Sequence, residues 1–199
     1  IEALLKTGRY QIISLGGAMK HQDYRPLKVE PWEEDWIVYP VDGYGNHEII
    51  RSILQKEKPD VLWFMTDPRF YGWLWEIENE VRSNVPMIYY HVWDNKPYPY
   101  FNGKWYRSTD EIAAISKVTY EILQKVSPEV PHHYVPHAVN SSVFYKFKTP
   151  EDKARASVLR EKIYNDNTFK EIQNKNKKLF FWNNRNARRK QSGTLLWWF

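Results

Sequence analysis

The chain contains no cysteine. Disulfides and cysteine-ligated zinc are therefore excluded, and the absence leaves the compartment open while fitting cytosol. No apolar run approaches the roughly 20 residues that a membrane-spanning helix requires. The opening residues, IEALLKTGRY, resemble no signal peptide. No internal repeat is visible. Acidic residues are the scarcer charge, 24 against 29 basic, which leaves a net charge of +5. That surplus suits a phosphate-bearing ligand, nucleic acid or an anionic membrane surface, and it equally suits an ordinary basic surface.

What is present is apolar and aromatic. The 199 residues are enough for one domain, or one and a piece of another, and at 42% hydrophobic and 17% aromatic they can build a substantial core. The most informative stretch is residues 59–94. Asp60 to Thr66 is a short, nearly continuous apolar run, as a strand covered on both faces would be. Thr66 to Gly72 is polar and aromatic with a proline and a glycine, so it reads as a loop. Trp73, Leu74, Ile77 and Val81 recur at helical spacing among charged residues. Met87 to Trp93 is apolar again and is followed by Asp94. Two buried strands joined through a helix make a βαβ unit, which implies a parallel sheet with a right-handed crossover. Ligands of such sheets bind at the carboxyl ends of the strands. Asp67 and Arg69 stand at one such end, His91 and Asp94 at the next.

The rest of the chain extends the pattern. A helix over residues 1–6 leads to a strand over 10–15 closed by Gly16-Gly17. A polar stretch over 19–35 precedes a strand over 36–41 and a helix over 47–58. Residues 95–106 carry two prolines, a glycine and five aromatics and are expected to be an ordered surface loop. A strand over 111–115 follows, then a helix capped by Ser116, then a strand over 133–139. Residues 150–164 are charged and amphipathic, 170–178 a lysine-rich link, and 179–182 a new strand. A basic loop over 183–190 then leads into a helix beginning at Ser192. Along a strand His133 and His137 would share a face, yet no acidic or cysteine partner has ligand spacing nearby, so no metal is expected. Tyr98, Tyr100, Phe101, Trp105 and Tyr106 are expected to pack on the domain; acceptor contact and single-stranded nucleic acid are the alternatives.

Five segments in this order resemble a GT-B glycosyltransferase of the retaining group 1, or family 4, kind. Lys58-Pro-Asp-Val-Leu62 is similar to that family's strand in the N-terminal domain. His91 stands where the family has a histidine after the next strand. Ala113-Ala-Ile-Ser-Lys117 is similar to its strand and helix start. Tyr134 to Asn140, with Val143-Phe144, resembles the motif before the domain crossover, and Leu179 to Arg185 the strand opening the C-terminal domain. The chain departs from the family at His137, Ala138, Asn140 and Asn184. The family's first strand and glycine-rich loop, and most of its C-terminal domain, have no counterpart, as expected of a fragment cut at both ends.

The resemblance implies an α/β fold, a Rossmann-like parallel sheet with helices on both faces and the first strand missing. It implies an acceptor-side domain over 1–145, a helical crossover over 146–178, and the start of a donor-binding domain over 179–199. The intact enzyme would transfer sugar from a nucleotide-sugar donor to an acceptor hydroxyl, with no separate cofactor. The roles implied are catalytic for His91, acceptor-binding for Asp67, Arg69 and Asp94, and donor-binding for Asn140, Arg185 and Lys190. Arginine offers a planar fork to the diphosphate and lysine a point charge. Partners would be the nucleotide sugar and a hydroxyl acceptor, with nucleic acid not expected. The location would be cytoplasmic, with peripheral contact to an anionic membrane as a further option. The strand over 179–182 is expected to fill the place of the missing first strand, within one chain or by exchange in a homodimer. The alternative function is a non-enzymatic module for a polyanion or single-stranded nucleic acid.

Overall fold

Short apolar runs become strands and stretches with a three-to-four-residue apolar period become helices, as the physics of burial requires. The structure is a computed structural model and describes residues 1–17, 20–165, 180–185 and 187–198. In chain order the elements are α1 (Glu2–Leu5), β1 (Ile12–Gly16), β2 (Leu27–Val29), β3 (Glu33–Pro40), α2 (His47–Glu57), β4 (Leu62–Thr66), α3 (Gly72–Glu76), α4 (Glu78–Arg82) and β5 (Met87–His91). They continue with α5 (Gly103–Arg107), β6 (Glu111–Ala114), α6 (Lys117–Val126), β7 (His132–Tyr134), α7 (Pro150–Asn165) and α8 (Ser192–Trp198).

The helix ends follow local chemistry. Asn46 and Ser116 cap α2 and α6, their side-chain oxygens accepting the N–H groups of Ile49 and Thr119. The C-cap of α2 is Lys58 in the left-handed conformation, where its N–H still reaches the Leu54 carbonyl. The expected single helix after β4 is two short ones, α3 and α4, broken at Ile77.

Among the described residues the strands form two sheets rather than the single sheet expected. One has the order β1-β3-β2, with β1 parallel and β2 antiparallel to β3; the other has the order β4-β5-β6-β7, wholly parallel. The polar stretch after Gly17 contains β2 and the beginning of β3, elements its composition concealed. Among the described residues one edge of β1 and one edge of β4 have no strand partner.

Strands laid down in sequence order with right-handed crossovers put every connecting helix on one face of their sheet. The core shows this. Phe64, Met87, Tyr89, Ile112 and Ala114 point to the face covered by Leu74, Val81, Tyr106, Ile122, Leu123 and Val126 from α3, α4, α5 and α6. Leu54 of α2 joins the same layer, and Arg51 of α2 pairs with Glu80 of α4 at 2.7 Å. On the opposite face Trp63 and Met65 are 49% and 50% exposed. The expectation of helices on both faces therefore does not hold for this part of the sheet.

The chain divides into two compact units, Ile1–Ala138 and Val139–Phe199. The expected boundary at residue 145 falls inside the second. That unit holds α7, a 3-10 turn at Arg188–Lys190 and α8. Val158 and Leu159 of α7 and Leu196, Trp197 and Trp198 of α8 are exposed. Phe180–Trp182 carries no strand and its side chains are exposed, so the strand expected over 179–182 does not form in its described part; Leu179 lies outside the described residues.

Candidate functional site

The carboxyl ends of the four parallel strands lie in register, Thr66 beside His91, His91 beside Ala114, and Ala114 beside Tyr134. One sheet edge therefore carries the polar residues that follow β4 and β5. Thr66 holds a positive φ of 112°, a costly conformation for a β-branched residue and one that clusters at functional sites. The next residue, Asp67, caps a 3-10 turn over Pro68–Tyr71 by accepting the Arg69 N–H at 3.0 Å. Its carboxylate also takes the Arg69 side chain in a two-point grip, Nε at 2.9 Å and Nη2 at 2.6 Å. That grip, more than any other influence, holds the Asp67 carboxyl below the usual range. The Arg69 guanidinium lies 5.3 Å from the centre of the Trp93 ring.

His91 is fully buried at the end of β5, its ring 5.1 Å from Tyr89 and 4.7 Å from Tyr106. Burial pushes its pKa down to about 3, against a smaller pull upward from Asp67. The ring is therefore neutral near pH 7. Nδ1 faces the Trp93 N–H at 3.4 Å and can only accept from it, which leaves the proton on Nε2. That Nε2–H is buried without a hydrogen-bond partner among the described residues. Asn102 packs beside the same Tyr106, donating to its hydroxyl at 3.1 Å, and its own Oδ1 is also buried without a partner. Trp73 Nε1 and Ser127 Oγ are likewise buried without a partner among the described residues; such an atom costs free energy unless water or a ligand meets it. Chemically, His91 is suited to donating a hydrogen bond to an oxygen, and poorly suited to exchanging protons near neutrality.

The sequence expectations divide. The structure brings His91, Asp67 and Arg69 to one edge, where Asp67 and Arg69 are already bound to each other. Asp94 lies three residues beyond β5 and is exposed. Asn140 closes a turn, its Oδ1 accepting from the Ser142 N–H at 3.0 Å and from the Ser142 hydroxyl at 2.6 Å. Arg185 is exposed, and Lys190 ends the 3-10 turn. Asn140, Arg185 and Lys190 belong to the second unit.

Asn102 and Tyr106 were legible only as part of a loop. Residues 100–107 are instead a 3-10 turn and α5, and the i, i+4 spacing of Asn102 and Tyr106 was the available signal. A Cβ on Gly103 would lie 3.2 Å from the Arg107 guanidinium and 3.4 Å from Val126, so the helix start fits closely against α6. The neighbouring aromatics are partly packed. Tyr98 donates to Glu121, whereas Tyr100 and Phe101 are exposed. His132 is bound to the Val130 carbonyl at 2.7 Å and His133 faces Glu111 at 2.5 Å. Among the described residues no three histidine, aspartate or glutamate side chains come together to hold a metal. Comparison of the chain with known proteins finds no matching family model, no matching curated protein and no matching solved structure.

Proposed function

We propose that the chain is the acceptor-side domain, with the beginning of the donor-side domain, of a GT-B glycosyltransferase that moves a sugar from a nucleotide-sugar donor to an acceptor hydroxyl. The observation that carries this reading is the unpartnered Nε2–H of His91, buried at the carboxyl edge of a parallel sheet beside Asp67. A neutral imidazole N–H in a dry setting is a donor for a sugar or phosphate oxygen, and it is worth most where charge develops as the glycosidic bond breaks. In this reading Arg185 and Lys190 meet the departing diphosphate, and Asp67, Arg69 and Asp94 meet the acceptor. Retention of configuration follows from the sequence resemblance alone.

The alternative, a module for polyanions or single-stranded nucleic acid, needs free cations interleaved with exposed aromatics. Arg51, Arg69, Arg82, Lys96 and Arg107 instead each face a carboxylate. Tyr106 is buried and Tyr98 is tied to Glu121. The two readings separate by titration. UDP-glucose, UDP-N-acetylglucosamine and GDP-mannose are added to the chain with the backbone amide resonances of residues 66–69, 91–94 and 100–107 as the readout, alongside an oligothymidylate. The transferase reading expects a weak, roughly millimolar response to at least one sugar nucleotide, lost in His91→Phe. Response to the oligonucleotide alone, at Tyr100 and Phe101, would favour the module.

A further inference from the structure

Two tryptophans share a hollow that the His91 site does not use. It has a volume of about 290 Å³ and lies between α3 and α5, lined by Gly72, Trp75, Glu76, Lys104, Trp105 and Ser108.

The lining is fixed from behind and open in front. The Trp75 ring meets Phe64 and Tyr89 edge-on, with centres 5.4 and 6.2 Å away, and its N–H donates to the Pro68 carbonyl at 2.8 Å. With that N–H engaged, Trp75 offers the hollow ring surface, held in place before any ligand arrives. Trp105 is half-buried, and the Lys104 ammonium stands 5.1 Å from its ring centre. Among the described residues that ammonium pairs with no carboxylate. The Ser108 hydroxyl donates to the Lys104 carbonyl at 3.0 Å, so its oxygen is left to accept. One Glu76 oxygen, Oε2, lies 3.3 Å from His47 Nε2, and the carboxylate keeps further lone pairs for a donor. Gly72 opens α3 with helical dihedrals, φ −47° and ψ −46°, and a Cβ there would meet nothing within 4 Å. Its missing side chain is part of the empty space.

The chemistry of the lining selects its ligand. The two indoles supply flat apolar surface. An acidic and a basic group line the same hollow, so an ion of either sign meets one like charge there. A hydroxyl meets none, because it donates to the carboxylate and accepts from the ammonium. A sugar ring joins the two demands, a C–H face ringed by hydroxyls. The volume is at the small end of ligand pockets, roughly 300–1,000 Å³, which suits a sugar ring and not a whole nucleotide sugar.

We propose that this hollow binds a neutral hexopyranose ring, its C–H faces against Trp75 and Trp105 and its hydroxyls on Glu76, Lys104 and Ser108. The inference does not rest on the transferase reading.

Titration of the full chain followed by NMR tests it. The readouts are the Trp105 indole N–H, assigned by its loss in Trp105→Phe, and the backbone amides of Gly72 and Ser108. The probes are methyl β-D-glucopyranoside, methyl β-D-galactopyranoside and methyl α-D-mannopyranoside. Mannitol carries the hydroxyls without a flat C–H face and is the control; uridine, neutral and aromatic, is the competing kind of occupant. At least one glycoside should shift all three signals with a dissociation constant of about 1–10 mM, and mannitol should shift none. Gly72→Gln fills the hollow at a helical position where glutamine is the better helix former. Trp105→Ala removes one wall. Each should weaken binding tenfold or more, and urea curves identify whichever variant keeps the fold, which then decides. No shift with any glycoside at about 100 mM, where even a weak site fills, would overturn the proposal. So would an equal response to mannitol, a response to uridine at least as strong as to every glycoside, or unchanged affinity in a folded variant.

Discussion

Arg82 grips Asp110 through two nitrogens, Nε at 3.1 Å and Nη2 at 2.8 Å from the same carboxylate oxygen, Oδ1. The other oxygen, Oδ2, accepts the Met87 N–H at 2.8 Å. One carboxylate thus joins α4 to the residue that opens β5, just ahead of β6. Burial pushes the Asp110 carboxyl up, but Arg82 and the Met87 N–H together outweigh it and hold it below the usual range.

Asp110→Ala should therefore cost about 1–2 kcal/mol, less than a fully buried charged hydrogen bond because solvent reaches the pair. The stability Asp110 contributes is present above the ordinary aspartate range and fades as pH falls through its depressed folded value. Urea denaturation at pH 7 and pH 3 measures both effects. A wild-type-like midpoint at pH 7 would show that the bridge is solvated and inert.

His91 gives a second pH signature with its own window. In the unfolded chain it protonates near its ordinary value of 6.5, and in the folded chain burial lowers that to about 3. A depressed folded value means that the unfolded state binds the extra proton, so stability falls as pH falls between those limits. From pH 7 to pH 5 the loss should be about 2 kcal/mol. His91→Phe, which keeps an aromatic ring against Tyr89 and Tyr106, should lose that part of the slope. Parallel urea curves for wild type and variant at both pH values would place His91 in water and remove it as a buried donor.

How much of this was readable in advance depended on the element. β4, β5 and β6 announced themselves because strands in a parallel sheet are apolar throughout, and Ser116 stands where a helix cap must. Their order then put Asp67 and His91 at one edge without any coordinates. α5 stayed hidden because its five residues open on a glycine amid prolines and aromatics, and what anchors them is the burial of Tyr106 in the core. β2 stayed hidden because a three-residue edge strand carrying a lysine has no apolar run to show. The burial of His91 was not legible either, since it depends on Tyr106 arriving from that concealed helix.

The donor side offers a test in the second unit. Arg185 is exposed, and within the transferase reading its ligand is a diphosphate. In the protein that carries a complete donor-binding domain, Arg185→Ala should weaken nucleoside diphosphate binding by roughly tenfold or more, the scale of one charge-assisted contact. Calorimetry giving the same affinity for variant and wild type would remove Arg185 from the site.

The last prediction concerns the division of the chain. The buried cluster that holds the four-stranded sheet runs from Phe64 to Val130, with Leu54 packed against it. β7 is secured just beyond by the Val135 N–H on the Ala114 carbonyl and by the Tyr90 hydroxyl on the Val135 carbonyl, each at 2.9 Å. All of these groups precede residue 139. The second unit contributes exposed apolar side chains instead, among them Phe181, Leu196, Trp197 and Trp198. Such a surface promotes association rather than folding. A chain ending at Ala138 should therefore fold with a single cooperative urea transition and be more soluble than the full chain. The sequence had pointed the other way, to a tail strand over 179–182 completing the sheet, which would make deletion fatal. Light scattering and amide exchange on residues 1–138 decide between them. An unfolded or aggregated product would show that the second unit supplies cover that the first cannot do without.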